Sequence, residues 1–440
     1  MRDIFVTVVI FGILPFALAR PYVGVLLWTW VSFMNPHRLC WGFAFDFPFA
    51  MIIAIVTLIG LLISREPKKI PWTRETVILF VFVLWMVITT IFSVYPILAW
   101  PQLDKVLKIQ LMVFVTMMVM QSKERLNLLV WVMTLSLAFY GVKGGIFTIS
   151  HGGVYHVRGP DNTFIGGDNE MGLALIMTIP LLRYLQLTTT RFWLRHAMTA
   201  VIMLCALAAI GSQSRGAMLG MVAMGAFFWI KSRSRFFTVL LTAVAAGLIL
   251  MVMPQAWFDR MSTIETYQQD ASAEGRINAW KMAFNLAKDR PLGGGFNAFQ
   301  RGMFAVYAPD PNNVHDSHSI YFEVLGEHGF FGLALFLLLG LMTWRTASWI
   351  IKRARDDPEN RWAGDLAAMV QVSLVGYAGA GAFLGLANFD LYYTLIAVVV
   401  LCKTILLSSK AVPQVDPAQD RVDQPSKFPR SGAEPQHEAI

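Results

Sequence analysis

The feature that most constrains this chain is a succession of apolar runs, each near the roughly 20 residues an α-helix needs to cross a bilayer. After a basic loop carrying Arg65, Lys68, Lys69 and Arg74, ten such runs follow. They lie at about 76–93, 105–121, 127–148, 168–187, 197–212, 215–230, 236–253, 328–347, 366–387 and 391–408. Inside lipid the backbone finds no water, so a spanning segment must satisfy its own N–H and C=O groups as a helix. The reading is an all-α polytopic membrane protein. Composition agrees: 56% of the 440 residues are hydrophobic and 15% charged, whereas a soluble domain sits near half apolar and about a quarter charged.

The net charge of +8 does not point to nucleic acid, because the Lys and Arg fall in short clusters between the apolar runs. That is how orientation signals are distributed. Lys123/Arg125, Arg191/Arg195, Lys231/Arg233/Arg235 and Lys352/Arg353/Arg355 share one side with the 65–75 loop. Loops 94–104, 149–167, 212–214, 254–317 and 388–390 share the other. Basic loops stay cytoplasmic, so the second set is expected outside, which in a bacterium is the periplasm.

The beginning is less regular. Ile4–Ala19 and Tyr22–Met34 are apolar but short, and Arg20-Pro21 splits them. With Arg2 taken as an inside marker, residues 1–64 are expected to cross twice, with 1–36 forming one broken crossing or a short re-entrant pair, giving about 12 helices with both ends cytoplasmic. The expected divisions are an N-terminal membrane segment 1–64, transmembrane helices over 65–253, a large helical periplasmic loop 254–317, transmembrane helices over 318–408, and a tail 409–440. The tail carries Pro, Gln, Asp and Ser with few apolar residues and reads as disordered. No cleavable signal peptide is evident, since only Arg2 precedes the first apolar run. Cys40, Cys205 and Cys402 lie far apart and suit buried thiols.

The chemistry is expected around the long polar loop. Arg215 sits in a short outer turn, Gly211-Ser212-Gln213-Ser214-Arg215-Gly216, where orientation does not call for a cation. It reads either as a snorkelling headgroup anchor or as an anion clamp facing a cavity. Arg276 opens a helical stretch in which Ile277, Trp280, Phe284 and Ala287 recur at helical spacing. A cation in a first helical turn is disfavoured by the helix dipole, and an anionic ligand there would offset that; the alternative is a solvated surface arginine.

His315-Asp316-Ser317-His318 places two histidines three residues apart. A metal pair, a structural histidine and a general base are all open readings. The absence of an evident third ligand at close spacing favours the base, for which His318 at the loop–helix boundary is best placed. His315 is assigned to positioning, and His328 reads as structural. Arg158, Asp168, Asn169 and Glu170 cluster near the outer end of the 168–187 run as substrate-binding candidates; Asp168 or Asn169 is expected as an N-cap, and Glu170 reads as a group that holds a sugar hydroxyl or orients an arginine. Lys105, Lys108 and Asp390 also fall at outer ends; the lysines are second-rank phosphate candidates. Gly293-Gly294-Gly295 follows Asp289-Arg290-Pro291 and reads as a turn after a helix end.

As a set, Ser214-Arg215-Gly216, then Arg276-x3-Trp280-x2-Ala283, then Pro291 with the three glycines, then His318-Ser319-x9-Gly329-x2-Gly332 resemble the O-antigen ligase/polymerase superfamily of bacterial envelope glycosyltransferases. The resemblance covers roughly 168–405. Its last element matches the pattern of lipopolysaccharide O-antigen ligases. The opening Met1-Arg2-Asp3, with Asn35-Pro36-His37-Arg38-Leu39 and Trp41-Gly42-Phe43-Ala44, is similar to the exosortase-A-associated O-glycosylation ligases. The resemblance implies a GT-C-like fold in the inner membrane and a metal-independent, inverting transfer with no cofactor. The donor would be a glycan on undecaprenyl diphosphate and the acceptor a lipid A–core oligosaccharide. An O-antigen polymerase, a protein O-oligosaccharyltransferase and a polyprenyl-linked glycan transporter are the alternatives. A transporter would place its ionisable groups near mid-membrane, whereas here they gather at one face.

Overall fold

In a computed structural model the chain is described at residues 1–231, 253–262 and 271–408, with Gly247. Most of the run 236–253 and the tail 409–440 lie outside the described residues. The described residues form fifteen α-helices and no strand. They are α1 (Arg2–Ala19), α2 (Pro21–Met34), α3 (Phe49–Ile63), α4 (Arg74–Ile91), α5 (Pro96–Val119), α6 (Lys123–Ser150), α7 (Asp168–Thr188) and α8 (Phe192–Gly211). There follow α9 (Arg215–Lys231), α10 (Gln255–Ser262), α11 (Ala271–Asp289), α12 (Arg301–Tyr307), α13 (Ile320–Ala354), α14 (Arg361–Gly381) and α15 (Asp390–Ser408). Seven of them, α1, α4, α6, α7, α8, α13 and α15, are long and apolar enough to cross a membrane. The chain is an all-α polytopic membrane protein.

The bundle has two ends. One carries the 65–73, 120–122 and 355–360 connections and is here the basic face. The other carries the 92–95, 151–167, 212–214 and 290–319 connections and is the site face. Small residues let helices approach closely without a hydrophobic driving force. A Cβ on Gly220 of α9 would lie 2.8 Å from Ala380 Cβ, and one on Gly376 would lie 2.6 Å from Met224 Sδ. The α9–α14 contact therefore depends on glycine, and it fixes the α9 end that begins at Arg215.

Residues 1–63 form three helices where two crossings were expected. Asp3 Oδ1 accepts the backbone N–H groups of Gly42 and Ala44, at 3.0 and 3.3 Å. The start of α1 thus lies beside the segment that joins α2 to α3. At the other end a Cβ on Gly60 would fall 2.6 Å from the Leu18 carbonyl. The helices run antiparallel, and the start of α1 shares the site face. Pro21 at the first turn of α2 ends α1 and begins α2, so Arg20-Pro21 marks a reversal of the chain.

α13 is broken at Gly329, which adopts φ 68° and ψ −173°. Next to the break the carbonyls of Gly326 and Glu327 accept from Gly294 N at 2.8 Å and Gly295 N at 2.9 Å. Asn297 N donates to Glu327 Oε1 at 2.8 Å, and Val94 N donates to Gly294 O at 2.9 Å. The glycine triplet is thus a turn, as expected, and it docks the polar loop onto the break. His328 is buried, with Nδ1 2.7 Å from Thr89 Oγ1 and its ring edge-on to Phe82 and Phe296. That is a structural setting.

Candidate active site

α11 brings the polar loop against the bundle. Its buried face is Gly275, Ala279, Met282, Ala283 and Leu286, small and flexible residues that let it lie close to α13. Of the expected face Ile277, Trp280, Phe284 and Ala287, Ala287 is buried and Trp280 half-buried, whereas Ile277 and Phe284 are exposed, at 36% and 46%. With apolar residues on several sides of α11, periodicity alone did not single out the stripe that packs.

Trp280 ties the site together. Its indole Nε1 donates to Ser317 O at 2.7 Å, and its ring stacks on Phe322 at 4.8 Å between centroids and 6° between planes. The same ring lies 6.5 Å from Phe383. Phe383 and the Ala380 carbonyl in turn pack against Gly216, where a Cβ would stand 3.5 and 3.4 Å from them. Arg276 is one turn before Trp280 on α11, Arg215 is one residue before Gly216, and His318 follows Ser317. One aromatic bridge therefore gathers Arg215, Arg276 and His318 at the site face.

His318 has φ 42°, in the left-handed region. Histidine tolerates that region better than bulkier residues, but it costs about 1–3 kcal/mol and persists only where neighbours enforce it. Here Ser317 and Ser319 on either side are both buried, with Ser319 N donating to Ser317 Oγ at 3.5 Å. Burial, then the nearby Arg276 guanidinium, lowers the His318 pKa, against the opposing charge of Asp316. The imidazole is thereby kept neutral, the form that accepts a proton. His315 is exposed and lies against α11, where a Cβ on Gly275 would be 2.3 Å from its Cδ2. That contact orients the loop and fits a positioning role. The described residues contain no group of three or more His, Cys, Asp or Glu arranged to hold a metal ion.

The other expected residues are distributed around this centre. Asp168 is the first residue of α7, and Gly167 occupies the N-cap without a side-chain bond; the expected cap by Asp168 or Asn169 is not formed. Asp168 instead pairs with His156, Nδ1 to Oδ2 at 2.7 Å, and its Oδ1 accepts from Asn169 N. Glu170 folds back over Gly167, where a Cβ would be 2.0 Å from its Oε2. Lys105 Nζ lies 3.8 Å from the centre of the Phe164 ring, and Lys108 pairs with Asp104. Asp390 is buried and accepts from Ser32 Oγ at 3.0 Å. Arg158 is exposed and faces a groove beside α6.

Sequence reasoning passed over Phe383, Ser317 and Glu323. Glu323 accepts from Ala387 N at 3.1 Å and so pins the 382–389 turn one helical turn below His318. A carboxylate one turn after a helix start is a visible signal, but its partner is remote in sequence. In chemical terms the site offers two guanidiniums for a phosphate-type anion and a neutral imidazole for a proton.

Residues 199–337, which include Arg215, Arg276 and His318, match a family model described as O-Antigen ligase. Residues 1–190 match a family of unknown function (DUF5935). No curated protein matches the sequence. Residues 199–337 thus form an O-antigen ligase domain within an all-helical membrane bundle of the GT-C-like kind, and that domain supports a function of the ligase and polymerase type.

Proposed function

We propose that the protein is a metal-independent, inverting glycosyltransferase of the bacterial inner membrane. It transfers an O-antigen polysaccharide from undecaprenyl diphosphate to a lipid A–core oligosaccharide, with the site facing the periplasm. The observation that carries this reading is His318, strained into the left-handed region beside Arg276 with its imidazole held neutral.

In the reaction the acceptor hydroxyl oxygen attacks the anomeric carbon of the donor sugar. The bond from that carbon to the diphosphate oxygen breaks, and both electrons leave with undecaprenyl diphosphate. His318 takes the hydroxyl proton. Arg215 and Arg276 bind the diphosphate and stabilise the charge it gains; arginine suits this through its permanent charge and two-pronged donors. Attack opposite the leaving group inverts the sugar. The orientation follows the positive-inside rule, since the 65–75 and 352–355 clusters lie at the opposite face.

The test is transfer by purified protein given a lipid-linked glycan and, in separate reactions, lipid A–core, a second lipid-linked glycan or an acceptor protein. Product with lipid A–core alone supports the proposal. Product only with one of the other acceptors would replace the acceptor, and no product with any would remove the reading.

A further inference from the structure

α6 carries one face of contacts through most of its length: Val132, Leu135, Ser136 and Phe139, then Tyr140, Lys143, Phe147 and Ser150. The first four line a groove of about 480 Å³ shared with α2, almost wholly apolar. The rest line a second space of about 490 Å³ at the site face, shared with Leu39 and the 156–160 segment. The two spaces follow one another along the same helix face. The Tyr140 hydroxyl, donating to the Met34 carbonyl, stands where they meet.

The upper space is basic. Lys143 and Arg158 both line it, both are exposed, and neither has an ion-pair partner among the described residues. His156, also in its wall, is matched by Asp168. Lys143 is notable because it stands beside Ile146, 55% exposed, on a helix long and apolar enough to cross a membrane. A cation so placed must either snorkel to the interface or meet an anion within reach. From Lys143 to Val132 is eleven residues, about 16 Å of helix. That matches one leaflet, half of the roughly 30 Å hydrocarbon core.

We infer that this groove binds a membrane lipid with a net-anionic phosphate headgroup, with its phosphate between Lys143 and Arg158 and its chain along Leu135 and Phe139 against α2. Charge complementarity picks the headgroup and the apolar depth picks a lipid over a free anion. The site falls within residues 1–190, the portion matched only to a family of unknown function. It stands independently of the transfer reaction, because binding is read without turnover.

The experiment uses the full-length purified protein in detergent with dioleoyl phosphatidic acid or phosphatidylcholine, and counts retained lipid by native mass spectrometry. Phosphatidic acid should be retained in preference to phosphatidylcholine. Lys143→Gln and Arg158→Gln should each reduce that preference about fivefold, the scale of one basic residue near an anionic surface. Arg158→Lys should keep most of it, as should Lys352→Gln at the basic face. Equal retention of both lipids would reduce the groove to an apolar crevice and overturn the proposal. So would an equal loss with Lys352→Gln, or displacement of the lipid by the same concentration of inorganic phosphate.

Discussion

Gly329→Ala is the substitution whose cost the structure defines best. Gly329 sits at φ 68° and ψ −173°, a conformation populated essentially by glycine alone. An alanine forced there costs about 1–3 kcal/mol in backbone strain. The added Cβ would also fall 2.0 Å from the Pro291 carbonyl oxygen and 3.2 Å from Gly293 N, so the 291–295 segment must withdraw. Its withdrawal breaks the bonds from Gly294 N to Gly326 O and from Gly295 N to Glu327 O, each worth about 1 kcal/mol. The total is about 3–5 kcal/mol, concentrated where the polar loop docks. Thermal unfolding of the purified protein, followed by tryptophan fluorescence, should show a clear fall in midpoint. Limited proteolysis should cut the 290–300 segment earlier than in the parent. Gly12→Ala is the control: nothing lies within 4 Å of its Cβ and it is in the middle of α1, so helix propensity favours alanine there by up to about 1 kcal/mol. A Gly329→Ala protein with the parent midpoint and parent proteolysis would refute the docking argument.

Three further outcomes follow from the site and the topology. His318→Ala should lower the transfer rate by about 10²–10⁴-fold, the usual yield of general-base catalysis, while titrated donor binding changes little; lost donor binding with intact residual chemistry would make His318 a diphosphate ligand. Because burial and Arg276 lower the His318 pKa, the base is neutral down to a pH below its ordinary value, and the acidic limb of kcat/KM should lie under about 6.5. Arg276→Gln removes the cation and should move that limb upward, whereas Arg276→Lys should leave it low yet lose most turnover for want of the planar fork; an unmoved limb in Arg276→Gln would separate the two residues. Cysteines introduced at Gly42 and Asn297 should react with an impermeant reagent from outside and one at Asp357 should not, the native thiols being buried; labelling only at Asp357 would invert the membrane orientation.

Much of the architecture was legible because lipid leaves a backbone few options: each apolar run that the described residues cover became a helix. The candidate site positions stood out for a related reason. Arg215 stood out because a cation on that side had no orienting purpose, and His318 because a titratable ring met a helix boundary. What stayed hidden depended on contacts between remote segments. The parity of residues 1–63 rested on Arg2 as an inside marker, while Asp3 in fact binds the backbone at 42–44. The buried stripe of α11 was obscured because Ile277 and Phe284 are as apolar as the alanines that pack. The glycine triplet could be read as a turn, but its docking role required the broken backbone of Gly329. Lys143 and Arg158 are on different elements, and only the fold places them in one groove.

The shortness of the first helices reaches beyond the protein itself. α2 has 14 residues and α3 has 15, so each is about 21–22 Å long. α6 beside α2 has 28 residues and extends about 42 Å. A bilayer of ordinary thickness cannot match both, and the lower-cost adjustment next to short helices is local thinning. The depression would form along the α2 side of α6, bringing the headgroup plane down toward Lys143. The protein would then shape the membrane that surrounds it, and reconstitution into thicker bilayers should weaken lipid retention there without altering a single residue.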